Sequence, residues 1–311
     1  MELDKYKSSK ILLTGATGFL GSNIAHELVK QGYLLICTCR KNSSFDRLNG
    51  ILDSIVWINL DDANWKEIIK KEKFDLLIHS AWEGVSLLER DCWEVQLRNF
   101  EFSKSIFAEA YNSGASRIIS LGSQAEYGIY SEKVTEKYAT LPVDAYGSVK
   151  LLTLYYLFNL AKSLNKEWYW LRIFSVFGKR ENDKWLIPTV IRSCINAESI
   201  DLTDGHQIYD YIYSGEFADN LVRVVKCKND HSGIYNLCSG KGIEIRDLLI
   251  RISMNFFQRE SLLKFGKLDH RKNQNMYMVG NNDKFENTFG KVSLNSLDSS
   301  IKETINYYLM K

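Results

Sequence analysis

Proline is scarce. Pro142 and Pro188 are the only two in 311 residues, so composition marks neither a linker nor a domain boundary. Length alone permits one large domain or two smaller ones. Metal ligands in a recognisable spacing are missing as well: the five histidines are scattered and none of the six cysteines forms a Cys-x-x-Cys pair. Cys37 and Cys39 fall in an apolar strand and read as small buried hydrophobes, which predicts a reducing, cytoplasmic setting. Charge of one sign is lacking. Forty basic residues against 38 acidic ones argue against nucleic acid or an anionic membrane as the main partner. The longest apolar run, Leu151 to Ala161, is about half the roughly 20 residues a membrane span needs. Lys150 and Lys162 bound it, so it reads as a packed helix. The stretch Met1-Glu-Leu-Asp-Lys-Tyr-Lys7 has no apolar signal core.

What the chain does have is Ile11-Leu-Leu-Thr-Gly-Ala-Thr-Gly-Phe-Leu-Gly21. The apolar run Ile11, Leu12, Leu13 reads as a buried strand, and Leu20, Ile24 and Leu28, spaced by four, open a helix. Three glycines join them. Gly15 lets the chain turn sharply, Gly18 lets backbone approach a pyrophosphate, and Gly21 lets helix and strand pack closely. The free N–H groups and positive dipole end of the helix then face phosphate.

The spacing is Gly-x-x-Gly-x-x-Gly, unlike the ordinary dinucleotide-binding Gly-x-Gly-x-x-Gly. Thr14-Gly-Ala-Thr-Gly-Phe-Leu-Gly21 resembles the extended short-chain dehydrogenase/reductases: the sugar-nucleotide epimerases, dehydratases and reductases. The resemblance implies that Gly15, Thr17, Gly18, Phe19, Leu20 and Gly21 hold a dinucleotide. Further strands are predicted at 33–39, 55–60, 74–82, 117–123 and 167–176. Alternation with helices predicts an α/β fold with a parallel, doubly wound Rossmann sheet and ligands beyond the strands' carboxyl ends. Residues 1–177 then form the dinucleotide-binding part, with a returning segment at about 206–235, and 178–311 form mostly a smaller α/β substrate-binding part. Strand two ends at Arg40, where an arginine suits a 2′-phosphate and favours NADP(H), with NAD(H) the alternative. By resemblance, Asn59 and Leu60 flank adenine, Ala81 and Trp82 lie along the cofactor, Asn99 braces it, and Phe174 borders it.

Arg117 to Ser123 is a strand with Ser123 at its carboxyl end, and Tyr146-Gly-Ser-Val-Lys150 opens a helix soon after. Tyr-x-x-x-Lys occurs three times, at Tyr6/Lys10, Tyr146/Lys150 and Tyr307/Lys311. Only the middle pair starts a helix following the serine-bearing strand, with both side chains on one face. Tyr146 reads as the proton donor or acceptor, with Lys150 lowering the phenol's pKa and holding ribose, and Ser123 orienting the sugar oxygen. Beside Ser123 stand Gln124 and Ala125. The dehydratases of this family carry Asp and Glu there, so the carboxylate pair needed to expel a hydroxyl is missing. The readings left are an NADPH-dependent 4-reductase of a CDP- or dTDP-linked 4-keto-6-deoxyhexose, serving bacterial surface-polysaccharide sugar biosynthesis, and an NAD-dependent UDP-sugar 4-epimerase. A non-catalytic cofactor-sensing relative is a third. Resemblance assigns the sugar nucleotide to Trp82, Ser123, Gln124, Ser175, Ile187, Gln207 and Tyr209. Ser175 replaces the usual Asn, and Tyr209 the usual diphosphate-gripping Arg. The helices at about 90–112 and 146–164 carry apolar residues on more than one face, and their equivalents in the family form a homodimer contact.

Overall fold

The computed structural model describes residues 9–86, 88–228, 230–270 and 274–311. Tyr6, and with it the stretch read for a signal core, lies outside the described residues. The chain begins β1 (Lys10–Thr14), α1 (Phe19–Lys30), β2 (Leu34–Cys39), β3 (Ile55–Asn59), α2 (Trp65–Glu72), β4 (Leu76–His79), α3 (Trp93–Asn112) and β5 (Arg117–Ser123). It continues α4 (Ala145–Leu164), β6 (Glu167–Ile173), β7 (Ser175–Phe177), α5 (Leu186–Asn196), β8 (Ile200–Asp201), β9 (Ile208–Tyr213), α6 (Ser214–Lys226) and β10 (Gly233–Leu237). Last come β11 (Gly242–Glu244), α7 (Ile245–Phe257), β12 (Leu263–Lys264), β13 (Tyr277–Met278), α8 (Asp283–Phe289) and α9 (Leu297–Leu309).

Among the described residues, seven strands form one sheet in the order β10-β6-β5-β4-β1-β2-β3, and every pairing in it is parallel. A parallel sheet covered on both faces demands strands apolar on both sides, and β1 shows how this is met. Ile11 and Leu13 pack with Ile24 and Leu28 of α1 and Phe217 and Leu221 of α6, while Leu12 joins Phe107 of α3 and Leu154 and Leu157 of α4 on the other face. The strand order reverses between β1 and β4, which opens a crevice at their carboxyl ends.

A smaller sheet, β11-β9-β13 with β7 paired to β9, stands beyond that crevice. Its core is built from α5, α7 and α9, where Val190, Ile191, Leu248, Ile252, Ile301 and Ile305 meet Phe177 and Tyr213. One strand expected over 167–176 is two: β6 ends at Ile173 in the large sheet, and β7 begins at Ser175 in the small one. The apolar run is continuous because both strands are covered, so periodicity does not show where the chain changes sheets. No helix among the described residues is long and apolar enough to cross a membrane.

Candidate active site

The crevice is a cavity of about 790 Å³, within the roughly 300–1,000 Å³ of ligand pockets. Its floor is the glycine turn. Gly15 has φ +74°, and a Cβ there would lie 2.6 Å from the Ala81 nitrogen. At Gly21 a Cβ would fall 2.0 Å from the Gly15 carbonyl oxygen, so only glycine lets α1 approach β1 this closely. Gly18 caps α1 without a side-chain hydrogen bond, which leaves the first-turn N–H groups facing the cavity for an anion. This cradle fits a dinucleotide pyrophosphate. Thr14 Oγ1 meets His79 Nδ1 at 2.8 Å, and His79 Nε2 meets Ser103 Oγ at 2.9 Å, tying the turn to β4 and α3. Burial pushes His79 down to about 3, so it stays neutral in this network.

Ser123, Tyr146 and Lys150 converge on the same cavity. The Ser123 hydroxyl accepts from the Ala125 N–H at 3.1 Å and faces the Tyr146 phenol, whose ionised form it favours. Asp144 caps α4 by accepting from the Gly147 N–H at 2.7 Å, which sets where Tyr146 enters. Lys150 is buried; its Nζ donates to the Leu121 carbonyl at 2.7 Å and lies 3.5 Å from the Trp82 ring centroid. Burial pushes Lys150 down to about 7, with the Glu126 carboxylate pulling the other way. The phenol itself is raised, against the lowering expected from Lys150. Burial dominates, and the Arg90 guanidinium and the Ser123 hydroxyl pull it back while Glu126 and Asp144 add to the rise. Lys150 Nζ is 5.9 Å from the Tyr146 ring centroid, and one of its protons is engaged by the Leu121 carbonyl.

Glu126 is sealed in protein. Its Oε1 accepts from the Ser123 N–H at 2.8 Å and from Trp170 Nε1 at 2.9 Å, and its Oε2 accepts from Arg172 Nε at 2.8 Å. It therefore clamps the end of β5 and does not reach into the cavity.

The cavity is also lined by Thr17, Phe19, Leu20, Arg40, Leu60, Ala81, Trp82, Asn99, Gln124, Phe174 and Ser175. Arg40 is not free there: its Nη1 lies 2.5 Å from Glu83 Oε1. Asn99 braces the following turn in both directions, accepting from the Glu83 N–H at 2.8 Å and donating to its carbonyl at 3.0 Å. Four residues expected at the site lie elsewhere. Asn59 folds back on its own turn, accepting from the Asp61 N–H and donating to Asp62. Ile187 turns into the α5 core, and its neighbour Leu186 faces the cavity, one helical residue being a rotation of about 100°. Gln207 is buried against Thr203 and His270. The Tyr209 hydroxyl donates to the Asn275 carbonyl at 2.8 Å, and it is Tyr211, two residues further along β9, that lines the cavity. Sequence reasoning missed Arg90 and Glu181, which also line it. Arg90 carries no local signal because its partner Asp144 is 54 residues away.

A glycine cradle at the switch point of a doubly wound parallel sheet, with Ser, Tyr and Lys meeting beside it, defines a nicotinamide-dependent short-chain dehydrogenase/reductase fold. A profile of the NAD dependent epimerase/dehydratase family matches residues 11–238, and the chain belongs to that family. A dTDP-4-dehydro-6-deoxyglucose reductase of Escherichia coli is 26% identical over 262 residues, covering 78% of this chain and 80% of its own. Among solved structures, a UDP-N-acetylglucosamine 4-epimerase from Methanobrevibacter ruminantium M1, in complex with UDP-N-acetylmuramic acid, superposes with a TM-score of 0.88. It is 22% identical, over 97% of this chain and 99% of that one. A UDP-glucuronic acid 4-epimerase from Bacillus cereus, with UDP-glucuronic acid and NAD, gives 0.83 at 19% identity over 97% of this chain and 99% of its own.

Proposed function

We propose that this chain reduces the 4-keto group of a nucleoside-diphosphate 4-keto-6-deoxyhexose with NADPH. The observation that carries the reading is the meeting of Ser123, Tyr146 and Lys150 in one cavity while Glu126 is locked to Arg172. Ketone reduction needs a hydroxyl pair and a proton relay, whereas loss of water needs a mobile carboxylate pair. Similarity to the E. coli reductase supports the same choice.

Gly15, Thr17, Gly18, Phe19, Leu20 and Gly21 would hold the pyrophosphate, Lys150 the nicotinamide ribose, and Arg40 a 2′-phosphate. When bound, the nicotinamide supplies the hydride. The chain's own groups handle the oxygen. Ser123 donates a hydrogen bond to the sugar carbonyl oxygen and limits its charge. Tyr146 gives up its phenolic proton to that oxygen, forming the alcohol O–H as its own O–H breaks. Lys150, buried and close to neutrality, is suited to return a proton to the phenolate. Trp82, Gln124, Ser175 and Tyr211 border the place a sugar would take. Residues 1–177 would thus carry the cofactor, and 178–311 most of the sugar nucleotide. A second copy would cover Trp93, Leu97, Leu152 and Tyr155, which remain exposed on α3 and α4.

One observation favours the epimerase reading. Glu83 holds Arg40, which weakens the case for a 2′-phosphate and leaves room for a retained NAD. Single turnovers with a dTDP- or CDP-linked 4-keto-6-deoxyhexose, followed at the NADPH absorbance, decide between them. Stoichiometric NADPH loss supports reduction. No net loss, with interconversion of UDP-sugars, overturns it in favour of epimerisation.

A further inference from the structure

Resting on the reading of Tyr146 as the proton donor, we propose that Arg90 is a positioning residue of this site, holding the phenol face-on from the loop before α3. Its guanidinium carbon lies 4.2 Å from the Tyr146 ring centroid, nearer than the 5.9 Å of Lys150 Nζ. Its Nε pairs with Asp144 Oδ2 at 2.5 Å, and Asp144 Oδ1 caps α4. The backbone is fastened at the same place: Tyr146 N–H donates to the Arg90 carbonyl at 3.0 Å, and Ala145 N–H to Asp91 Oδ1 at 2.9 Å. One loop therefore fixes both the ring and the helix end that carries it.

That loop is itself held. Gln96, buried in α3, donates to the carbonyls of Gly84 and Glu89 and accepts from Trp82 Nε1. A planar guanidinium can stack on a ring and grip a carboxylate together, which an ammonium cannot. Arg90 also lines the cavity that Tyr146 borders. Among the described residues, the other charged groups around the phenol are Asp144 at the head of α4, Lys150 one turn on, and Glu126 from the turn after β5. Among them Arg90 is the cation that most favours the phenolate.

The test is the pH profile of the reductive rate, which falls at high pH as the phenol loses the proton it must donate. In Arg90→Gln that limb should move up by about one pH unit, because a neighbouring cation no longer favours the phenolate. Arg90→Lys should return the limb toward wild type while kcat stays low, since charge is restored and the planar fork is not. A folded Arg90→Gln whose limb is unmoved overturns the proposal, even if kcat falls. Should Arg90→Gln not fold, Arg90→Lys carries the test alone: it keeps the charge and loses the planar fork, so kcat should fall while the limb stays near wild type, and a wild-type kcat overturns the proposal. Full turnover in Tyr146→Phe would instead refute the reading of Tyr146.

Discussion

Glu126→Gln separates a structural carboxylate from a chemical one. Glu126 and Arg172 are essentially sealed from water, at 0% and 2% exposure, and joined at 2.8 Å. The carboxylate takes three donors, from Ser123, Trp170 and Arg172, and the guanidinium lies 4.3 Å from the Tyr127 ring centroid. An amide can offer its oxygen on one side only, so an N–H₂ must face either Arg172 or the pair formed by Ser123 and Trp170. Arg172 Nη1 is already buried with no hydrogen-bond partner among the described residues. Removing one member of a buried pair costs about 3–5 kcal/mol. At roughly 2.1 cal/mol/K per residue, 311 residues give an unfolding entropy of about 0.65 kcal/mol/K, so Tm should drop by about 5–8 °C. Thermal melts followed by circular dichroism at pH 7 measure it, with turnover recorded well below the transition. A Tm within about 1 °C of wild type, together with lost turnover, refutes the reasoning and makes Glu126 the acid or base of a dehydration.

Two further outcomes follow from the cavity walls. Burial pushes Glu181 up to about 8, with the Gly178 N–H pulling it back. A carboxyl raised on folding is at no disadvantage below its unfolded value of 4.5, and its contribution is lost as pH rises through 8. By pH 7 that is roughly 3 kcal/mol, so Glu181→Gln should melt above wild type, by a margin that widens from pH 5 to pH 8. Parallel Tm curves would contradict this. Arg40→Ala should lower the NADPH-over-NADH ratio of kcat/KM by about tenfold, the worth of one charge-assisted hydrogen bond, and Glu83→Gln, which frees Arg40, should raise it. Unchanged ratios in both variants would remove Arg40 from cofactor choice.

The parts legible in the sequence are those whose physics is local. The strand expected at 117–123 is β5 to the residue, because turn signals bound a short apolar run. Gly15, Gly18 and Gly21 lie along the passage from β1 into α1, and Tyr146 and Lys150 on one helical face, so spacing alone brings each set together. The expectations at Gln207, Tyr209 and Ile187 rested on patterns after residue 180, where one step along a helix or two along a strand moves a side chain out of the cavity. The Arg90–Asp144 and Glu126–Arg172 pairs join residues 54 and 46 apart, and only the folded chain brings them into contact. The upward pKa of Tyr146 is hidden for the same reason: a spacing of four shows the ammonium but not the burial that raises the phenol, nor the Arg90 guanidinium that opposes it.

The role of Tyr146 is tested most directly by Tyr146→Phe, which removes one oxygen and leaves the glycine cradle, Ser123 and Lys150 in place. Turnover of the 4-keto sugar nucleotide should fall by about 10²–10⁴-fold while Tm and dinucleotide affinity, read by titration, stay at wild-type values. Turnover comparable to wild type would contradict proton donation by this phenol.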